Sequence, residues 1–464
     1  MKLHFYGAAR TVTGSQFLLE VNGNHLLIDC GMYQGKRAES YSRNRNFKFS
    51  PREVDAVLLT HAHIDHSGNL PSLVRQGYQG PVYSSSATCD LANLMLRDSG
   101  RIQESDAEYV NKRRSRENLP PIEPLYTQAD AARVGACLRP QEFDLPFEVM
   151  DGVVARLFDS GHILGSASIL LEVNEKGRKT RLWFSGDIGR RNLHILPDPV
   201  LPENVDYLIM ESTYGDKVHS DPQQAYDEYC QVVLETIRRR GKVIVPAFAV
   251  GRTQELVYAL NLFVSHGKMP RVPVYVDSPL AVSASDIFRR HPECYDAETR
   301  EFIASHNHPA LEFDGLTYIR SVEESKALNN RDEPMIIIAA SGMAENGRIL
   351  HHLKNNIEDS RNQILIVSWQ APDTLGRRLA DRAERVTIFG EEYIRRAGVS
   401  TIGGLSGHAG QDLLSEYAGR TRKTLKRLFL VHGEAEPASR LRERLSGEGI
   451  TQVTYPDQNE TFEL

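Results

Sequence analysis

The stretch His61-Ala62-His63-Ile64-Asp65-His66 carries four metal-binding side chains within six residues. It follows the apolar run VDAVLLT at 54–60, whose short, continuous pattern of Val and Leu predicts a buried strand. Polar residues on the loop that leaves a strand are typical of sites in α/β proteins. Histidines clustered with a carboxylate favour Zn²⁺, with iron or manganese as alternatives. We expect His61 and His63 to share one metal, and Asp65 and His66 to reach a second.

Three further apolar runs end in a lone His or Asp with glycine beside it. Glycine allows the backbone to come close to a site, which suits a loop that carries a ligand. Taken singly, each residue is equally compatible with an ordinary hydrogen-bonded loop. Taken together, they supply the additional ligands that two metals need. The three residues are His162 in SGHILGS at 160–166, Asp187 in FSGDIG at 184–189 and His432 in LFLVHGE at 428–434.

The order and local context of these residues, beginning with Asp29 in LLIDCG at 26–31, resemble the motifs of the metallo-β-lactamase superfamily. The resemblance implies an α/β fold, an αββα sandwich with two Zn²⁺ per chain at one edge. It also implies that Asp29 orients one of the ligands through a hydrogen bond. The implied ligands are His61, His63 and His162 for the first zinc, Asp65, His66 and His432 for the second, and Asp187 as the bridge.

The middle and the end of the chain resemble one branch of that superfamily, the β-CASP proteins, which cut RNA or DNA. The branch has three signature motifs. The third corresponds to LVHG at 430–433 and carries His432, as in the RNA-cutting members of the mRNA cleavage and polyadenylation type. DNA-processing members differ at this position. The stretches 246–255, 277–281 and 340–343 also resemble the branch. The three signature motifs correspond to LIMESTYG at 208–215, GLSGHAG at 404–410 and LVHG at 430–433.

The periodicity of the sequence indicates where the inserted β-CASP domain lies. From Asp206 onward, strand and helix patterns alternate, which predicts a mainly parallel sheet. The first helix of this region is predicted to begin after Asp221, with Pro222 in its first turn. We expect the active site in the cleft between two domains. These are a discontinuous metallo-β-lactamase domain at 1–205 and 394–464, and the β-CASP domain at 206–393.

The chemistry that the resemblance implies is hydrolysis of a phosphodiester by hydroxide, which two zinc ions generate from water near neutral pH. We assign His408 as the general acid for the leaving oxygen, or as a contact to the phosphate, and Glu211 as the carboxylate that orients it. Asp65 is assigned a catalytic role as well as a ligand role. A structural histidine in a glycine loop and a strand-end cap are the alternatives for His408 and Glu211.

A second set of residues is assigned to the phosphates of the substrate. Ser341 and Gly342 leave a predicted strand toward Arg348, and such a strand–loop–helix pattern presents backbone N–H groups to an anion. Arg348 is predicted to make a bidentate phosphate contact, and Arg252 has a similar place in the preceding strand–helix unit. A plain connection between strand and helix is the alternative.

The composition fits a soluble protein of more than one domain, with 464 residues, 41% hydrophobic and 25% charged. A net charge of −6 predicts only modest nonspecific affinity for long nucleic acids. No apolar run approaches the ~20 residues that span a bilayer, and five cysteines without paired spacing indicate a reducing cytoplasm. We expect no signal peptide, N-terminal RNA-binding extension or long C-terminal domain. Trp183 and Trp369 are interpreted as core residues.

The sequence therefore predicts a zinc-dependent ribonuclease that hydrolyses single-stranded RNA in RNA processing or decay, as an endonuclease, a 5′-exonuclease or both. One alternative is a metallo-hydrolase of tRNA 3′ ends, DNA or small molecules, which the inserted domain and its three motifs disfavour. Another is a non-catalytic partner in RNA processing, which the complete set of ligand residues disfavours. A homodimer is left open.

Overall fold

The computed structural model describes residues 1–35, 37–306 and 309–464. It divides into two compact units. The two units are defined by contacts within the structure. The predicted limits of the family domains, 206 and 393, stay predictions. None of the helices in the described ranges is long and apolar enough to cross a bilayer. Unit 1 comprises Met1–Arg191, Asp198–Val218 and His408–Leu464, and unit 2 comprises Asn192–Pro197 and His219–Gly407.

The strands of the described ranges are short, and most have at least one buried face. In chain order they are β1 Lys2–Phe5, β2 Phe17–Val21, β3 Asn24–Ile28, β4 Ala56–Leu58, β5 Val82–Ser85, β6 Leu138–Gln141, β7 Pro146–Met150, β8 Val153–Asp159, β9 Ala167–Glu175, β10 Arg178–Phe184, β11 Tyr207–Glu211, β12 Lys242–Pro246, β13 Val274–Val276, β14 Leu316–Tyr318, β15 Met335–Ala339, β16 Gln363–Ile366, β17 Arg385–Ile388, β18 Glu391–Ile394, β19 Gly398–Thr401, β20 Arg427–Val431, β21 Val453–Thr454 and β22 Glu460–Glu463.

From β11 to β17 the helices alternate with the strands, as predicted for the chain from Asp206 onward, whereas β1 to β3 and β6 to β11 follow one another without an intervening α-helix. In chain order they are α1 Arg37–Arg45, α2 Ile64–Ser67, α3 Leu70–Arg75, α4 Ser86–Arg116, α5 Gln128–Val134, α6 Pro222–Arg238, α7 Arg252–Ser265, α8 Pro279–Arg290, α9 Ala297–His306, α10 Val322–Ala327, α11 Arg348–Asn356, α12 Leu375–Ala380, α13 Gln411–Gly419 and α14 Ala435–Gly447.

Unit 1 is an αββα sandwich. Its two seven-stranded sheets have the orders β22-β1-β2-β3-β4-β5-β6 and β21-β20-β11-β10-β9-β8-β7. Side chains from both sheets, such as Phe5 and Phe429, fill one apolar core between them. Outside the second sheet, Leu414 and Leu441 of α13 and α14 join Trp183 in a further apolar cluster. Outside the first sheet, α4 packs on β5 and β6. This architecture confirms the predicted fold class.

The strand order of unit 1 brings the predicted site residues together. Because β10, β11 and β20 run parallel as neighbours, their carboxyl ends lie at the same edge of the second sheet. Asp187 follows β10, Glu211 ends β11, and His432 follows β20. In the first sheet β3 and β4 are also parallel. Asp29 directly follows β3, and His61 lies on the loop after β4. Residues far apart in sequence therefore meet at strand ends.

Unit 2 is built on a six-stranded sheet of order β14-β13-β15-β12-β16-β19, in which all neighbouring strands are parallel. This confirms the predicted parallel sheet. Strands β12 and β15 are buried along their whole length, which explains their continuous apolar sequences. Helix α6 begins as predicted, because the Asp221 carboxylate accepts a hydrogen bond from the backbone N–H of Gln223 at 2.9 Å.

One buried carboxylate, that of Asp277 after β13, joins three elements of unit 2. It accepts hydrogen bonds from Ser325 Oγ on α10 at 2.5 Å and from Arg348 Nη1 on α11 at 2.5 Å. Nε2 of His352, also on α11, lies 2.6 Å from the same carboxylate. Burial raises the pKa of Asp277, but the bonds from His352, Ser325 and Arg348 outweigh it and lower the pKa overall. The charged form is therefore the stabilised one.

We expect Asp277→Ala to destabilise unit 2 by ~3–5 kcal/mol, because it leaves the partly shielded guanidinium of Arg348 and the buried ring of His352 without their shared carboxylate. Since the native pKa of Asp277 is lowered, its contribution is present above the unfolded pKa of ~3.9 and is lost as the pH falls. Urea unfolding followed by circular dichroism measures both effects. The control is Asp314→Ala, whose exposed ion pair with Arg271 contributes at most ~1 kcal/mol. Equal destabilisation by the two variants would contradict this account.

Candidate metal centre

A first group of donor atoms lies at the ends of the strands in unit 1. One nitrogen each from His61, His63 and His162 and one oxygen of Asp187 all lie within 4.8 Å of one another. Nε2 of His61 and Nε2 of His162 are each 3.1 Å from Nδ1 of His63. Two nitrogens bound to one tetrahedral zinc at ~2.0–2.1 Å are about 3.3 Å apart. The spacing of these imidazoles therefore suits a common metal ion.

A second group, formed by Asp65, His66 and His432, also has donor atoms within 4.8 Å of one another. Nε2 of His432 lies 3.5 Å from Oδ2 of Asp65. Nε2 of His66 lies 3.2 Å from Oδ1 of Asp187, whereas Oδ2 of Asp187 lies 3.4 Å from Nε2 of His61 in the first group. The Asp187 carboxylate thus stands between the two groups, with one oxygen toward each.

Two buried atoms of these groups support a fit to metal ions. Oδ1 of Asp187 and Nε2 of His432 make no hydrogen bond to any residue of the described ranges, although both are shielded from solvent. Buried polar atoms are normally satisfied, and an ion is one common partner where the protein offers none. The donor set, imidazole nitrogens with carboxylate oxygens, is also the set that zinc prefers.

The local chain path fixes the six-residue motif. His61 and His63 lie on the loop after β4, and Asp65 and His66 lie in the short helix α2. Backbone hydrogen bonds tie α2 to the segment after β3, with Cys30 N donating to His66 O at 2.8 Å. At Gly31 a Cβ would lie only 1.6 Å from the carbonyl oxygen of Asp65. Glycine is therefore required at this position for the two segments to approach.

Asp29 lies beside His66 and Thr60. Its Oδ2 lies 2.7 Å from Nδ1 of His66. The same carboxylate accepts hydrogen bonds from the backbone N–H of Thr60 at 2.7 Å and from its hydroxyl at 2.9 Å. With Nδ1 engaged by Asp29, Nε2 of His66 is directed toward Asp187, which is the usual division of roles in a metal-binding histidine. Thr60 was not predicted from the sequence, although it immediately precedes His61.

At His61 and Asp187, electrostatics favour the protonation states that bind metals. Burial and the neighbouring His66 hold the pKa of His61 well below its ordinary value. Burial raises the pKa of Asp187, but the neighbouring histidines, His432 and His66 foremost, prevail and hold it well below its ordinary value. Burial lowers the pKa of His66, but Asp187 and Asp29 outweigh it and hold the pKa well above its ordinary value. Neutral imidazole and ionised carboxylate are the forms that coordinate cations.

Glu211 and His408 form a third group of donors together with Asp187. Nδ1 of His408 lies 3.2 and 3.3 Å from the two carboxylate oxygens of Glu211, whose side chain is fully buried. Oε1 of Glu211 also accepts the backbone N–H of Ile188 at 2.6 Å. Burial lowers the pKa of His408, but Glu211 outweighs this and raises it to about 9. His408 is therefore protonated at neutral pH.

Behind Glu211 lies a chain of buried hydrogen bonds that sequence reasoning did not identify. The backbone N–H of Glu211 donates to Ser185 Oγ at 3.1 Å, and the Ser185 carbonyl accepts the hydroxyl of Ser168 at 2.8 Å. The hydroxyls of Ser168 and Tyr417 are 3.0 Å apart, and Trp183 Nε1 donates to Tyr417 at 2.7 Å. These partners fix the end of β11. Trp183 is buried, as predicted.

The four residues predicted to contact phosphate all lie in unit 2 and belong to none of the three donor groups. The hydroxyl of Ser341 accepts the backbone N–H groups of its own loop, those of Glu345 at 3.1 Å and Asn346 at 3.3 Å. Gly342 is buried in the same loop. The guanidinium of Arg348 is bound to Asp277, as described above. Phosphate contacts by Ser341, Gly342 and Arg348 stay predictions.

Arg252 is also engaged within unit 2. Its side chain is buried at the start of α7 and donates hydrogen bonds to the carboxylate of Glu255 and to the carbonyl oxygen of Leu405. Both partners are separated from solvent, so these contacts account for the charge of the guanidinium. A phosphate contact by Arg252 likewise stays a prediction.

Comparison with known families gives three matches that together cover most of the chain. The metallo-beta-lactamase superfamily matches residues 9–246, which is about half of the sequence. The Beta-Casp domain matches residues 253–379. A family described as the Zn-dependent metallo-hydrolase RNA specificity domain matches residues 392–456.

Individual relatives agree with these matches. Ribonuclease TTHA0252 of Thermus thermophilus is 39% identical over 94% of this chain and 94% of its own length. Transcription termination factor FttA of Methanocaldococcus jannaschii is 31% identical, over 94% of this chain and 67% of its own length. A crystal structure of a protein of unknown function from Enterococcus faecalis V583 covers 100% of this chain and 99% of its own, with a TM-score of 0.57 and 13% identity. That structure supports the fold alone.

The extent of the first family match, the 39% identity to one full-length relative and the αββα architecture lead to one conclusion. The chain belongs to the metallo-beta-lactamase superfamily, as a metal-dependent hydrolase of the branch that carries a Beta-Casp domain and an RNA specificity domain.

Proposed function

We propose that this chain is a zinc-dependent ribonuclease, which hydrolyses phosphodiester bonds of single-stranded RNA in RNA processing or decay. The observation that carries the proposal is the position of Asp187, whose two oxygens face two different groups of donor atoms. The match to an RNA specificity domain and the 39% identical relative named a ribonuclease support RNA as the substrate.

In this proposal the chain holds two zinc ions in the two donor groups of unit 1. Asp187 belongs to both sets, because its carboxylate stands between them. Two zinc ions at these positions would supply hydroxide at neutral pH and draw charge from the phosphoryl oxygens. The proposed ligands are His61, His63 and His162 in one set and Asp65, His66 and His432 in the other, with Asp187 shared.

The residues of the chain supply the remaining steps. His408 carries a proton at neutral pH, because its pKa is raised to about 9, and donates this proton to the departing ribose oxygen. Glu211 fixes the ring through Nδ1 and stabilises its charged form. Asp29 keeps His66 oriented toward Asp187. The phosphate contacts that we propose for Ser341, Gly342, Arg348 and Arg252 would position the RNA strand.

The surroundings of the reaction are part of the same proposal. We propose the cytoplasm as its compartment, since no disulfide joins the cysteines in the described ranges and their sequence spacing is not paired. Single-stranded RNA is the proposed partner. A homodimer stays a prediction.

We expect the purified protein to contain close to two Zn²⁺ per chain, and Asp187→Ala to lose both, because this carboxylate serves both donor groups. Metal analysis by mass spectrometry after gel filtration gives the count. Asp314→Ala, at an exposed site, should keep the full content. One tightly held ion that survives Asp187→Ala would refute the shared-ligand arrangement.

We expect His408→Ala to retain zinc and RNA binding but to cut RNA ~10²–10⁴-fold more slowly, the usual effect of losing a general acid. Glu211→Gln should lose less activity. It should also shift the alkaline limb of the pH–rate profile to lower pH, because a neutral amide no longer raises the pKa of His408. His266→Ala, an exposed histidine at the end of α7, is the control. An unshifted alkaline limb in Glu211→Gln would remove His408 from the role of acid.

The substrate is tested with one labelled sequence prepared as single-stranded RNA, as RNA duplex and as DNA. We expect rapid cleavage of the single-stranded RNA with weak sequence preference, and much slower cleavage of the other two. Recognition of RNA generally relies on unpaired strands, whose bases are accessible. Affinity should fall steeply as salt increases, because contacts to phosphate displace counter-ions. Equal rates on the three substrates would leave a general phosphodiesterase as the better description.

A further inference from the structure

Three loops leave adjacent strands of unit 2 at their carboxyl ends. β15, β12 and β16 are neighbours in the parallel sheet, and each is followed by a loop that leads into a helix. The three loops span 247–251, 340–347 and 367–374. In open parallel α/β sheets, ligands bind outside the carboxyl ends of the strands. These loops therefore form the edge of unit 2 at which a ligand is most expected.

Two large aromatic side chains are exposed on this edge. Phe248, after β12, is 43% exposed, and Trp369, after β16, is 55% exposed. The interpretation of Trp369 as a core residue was therefore wrong, because the strand ends at Ile366 and the indole lies beyond the core. Trp183, by contrast, is 2% exposed. Large exposed apolar side chains that share one surface mark sites of interaction.

The two loops that carry these rings both contact Gly342. A Cβ at Gly342 would lie 3.0 Å from the ring of Phe248, so the ring packs directly on this glycine. Gln370 Nε2 donates to the carbonyl oxygen of Gly342 at 3.0 Å, which joins the loop that carries Trp369 to the same residue. The hydroxyl of Thr253 further holds the backbone at Phe248, at 2.7 Å from its carbonyl oxygen. The surface is therefore formed before any ligand arrives.

We propose that Phe248 and Trp369, on two loops that both contact Gly342, form a stacking surface for unpaired bases of RNA. This inference rests on the proposed function, since it takes RNA as the ligand. Base stacking on aromatic rings needs no cation and tolerates every sequence, because each base has a π-face. It suits a chain with a net charge of −6, whose Arg348 is already bound to Asp277.

The chemistry of the surface favours bases over a protein partner. Polar groups lie on the same loops, among them the Ser341 hydroxyl and the Gln370 amide. The fully buried centre of a protein interface is generally more apolar than this. Aromatic rings beside polar groups match a nucleotide strand, in which apolar bases alternate with polar backbone.

Tryptophan fluorescence reports directly on this surface, because the chain contains two tryptophans and only Trp369 is exposed. The experiment uses the full chain with His408→Ala to suppress cleavage, titrated with a single-stranded RNA oligomer and with an abasic oligomer of the same backbone. We expect the RNA to quench the fluorescence of Trp369 and the abasic oligomer to leave it unchanged. Quenching by both oligomers alike would overturn the proposal.

Affinity measurements give a second, independent readout. We expect Trp369→Leu and Phe248→Leu each to weaken binding of labelled single-stranded RNA ~5- to ~100-fold, the range that follows from the loss of one base–aromatic stack. Binding of the abasic oligomer should not change. Tyr109→Leu is the matched control, because it removes an aromatic side chain that is 74% exposed on α4. Unchanged RNA affinity in both test variants would overturn the proposal.

Cleavage of the same RNA by the unmodified chain, recorded in parallel, separates this inference from the proposed function. Cleavage without base-dependent binding would overturn the stacking surface and leave the ribonuclease proposal standing. Base-dependent quenching without cleavage would support the surface and count against the ribonuclease. If sedimentation showed a dimer that the two Leu variants dissociate while RNA affinity stayed the same, the surface would be a protein interface and the stacking proposal would fail.

Discussion

The centre of unit 1 depends on one constraint, the burial of the Asp187 carboxylate. An ionised carboxylate removed from water costs several kcal/mol unless partners compensate it. Here imidazole nitrogens approach it from two sides at 3.2–3.6 Å. Those imidazoles come from segments that follow strands of both sheets, so they surround the carboxylate only when the two sheets are packed together. Packing of the sandwich and assembly of the donor groups are therefore a single requirement.

The parts of the site that the sequence could predict are those with local patterns. The motif at 61–66 is recognisable because its donors lie on one loop and the first turn of one helix, where spacing alone determines which atoms can converge. The partners of single residues were not predictable. The contact of Arg348 with Asp277, 71 positions earlier, could not be foreseen from the sequence around Arg348. Likewise, nothing near Glu211 in sequence indicates Tyr417 and Ser168 behind it. Tertiary contacts decide the environment of isolated residues.

The same reasoning explains how an acidic chain can act on a polyanion. The two arginines assigned to phosphate, Arg252 and Arg348, also stabilise unit 2, where each guanidinium is bound to a carboxylate. In the proposed function, backbone N–H groups, neutral rings and bound zinc would share the recognition of RNA with these arginines. A net charge of −6 keeps nonspecific attraction to nucleic acids low. In that proposal, selectivity for unpaired strands would follow from base stacking on the neutral rings.

The parallel pairing of β20 with β11 has a consequence for biosynthesis. His432 enters the centre from a strand that the ribosome makes only after the whole of unit 2, although Asp29 and the 61–66 motif are made near the start. Domains tend to fold as they emerge, so the second sheet must wait with an open position beside β11. A nascent chain that is still attached to its own mRNA therefore lacks one residue of the second donor group until His432 has been translated.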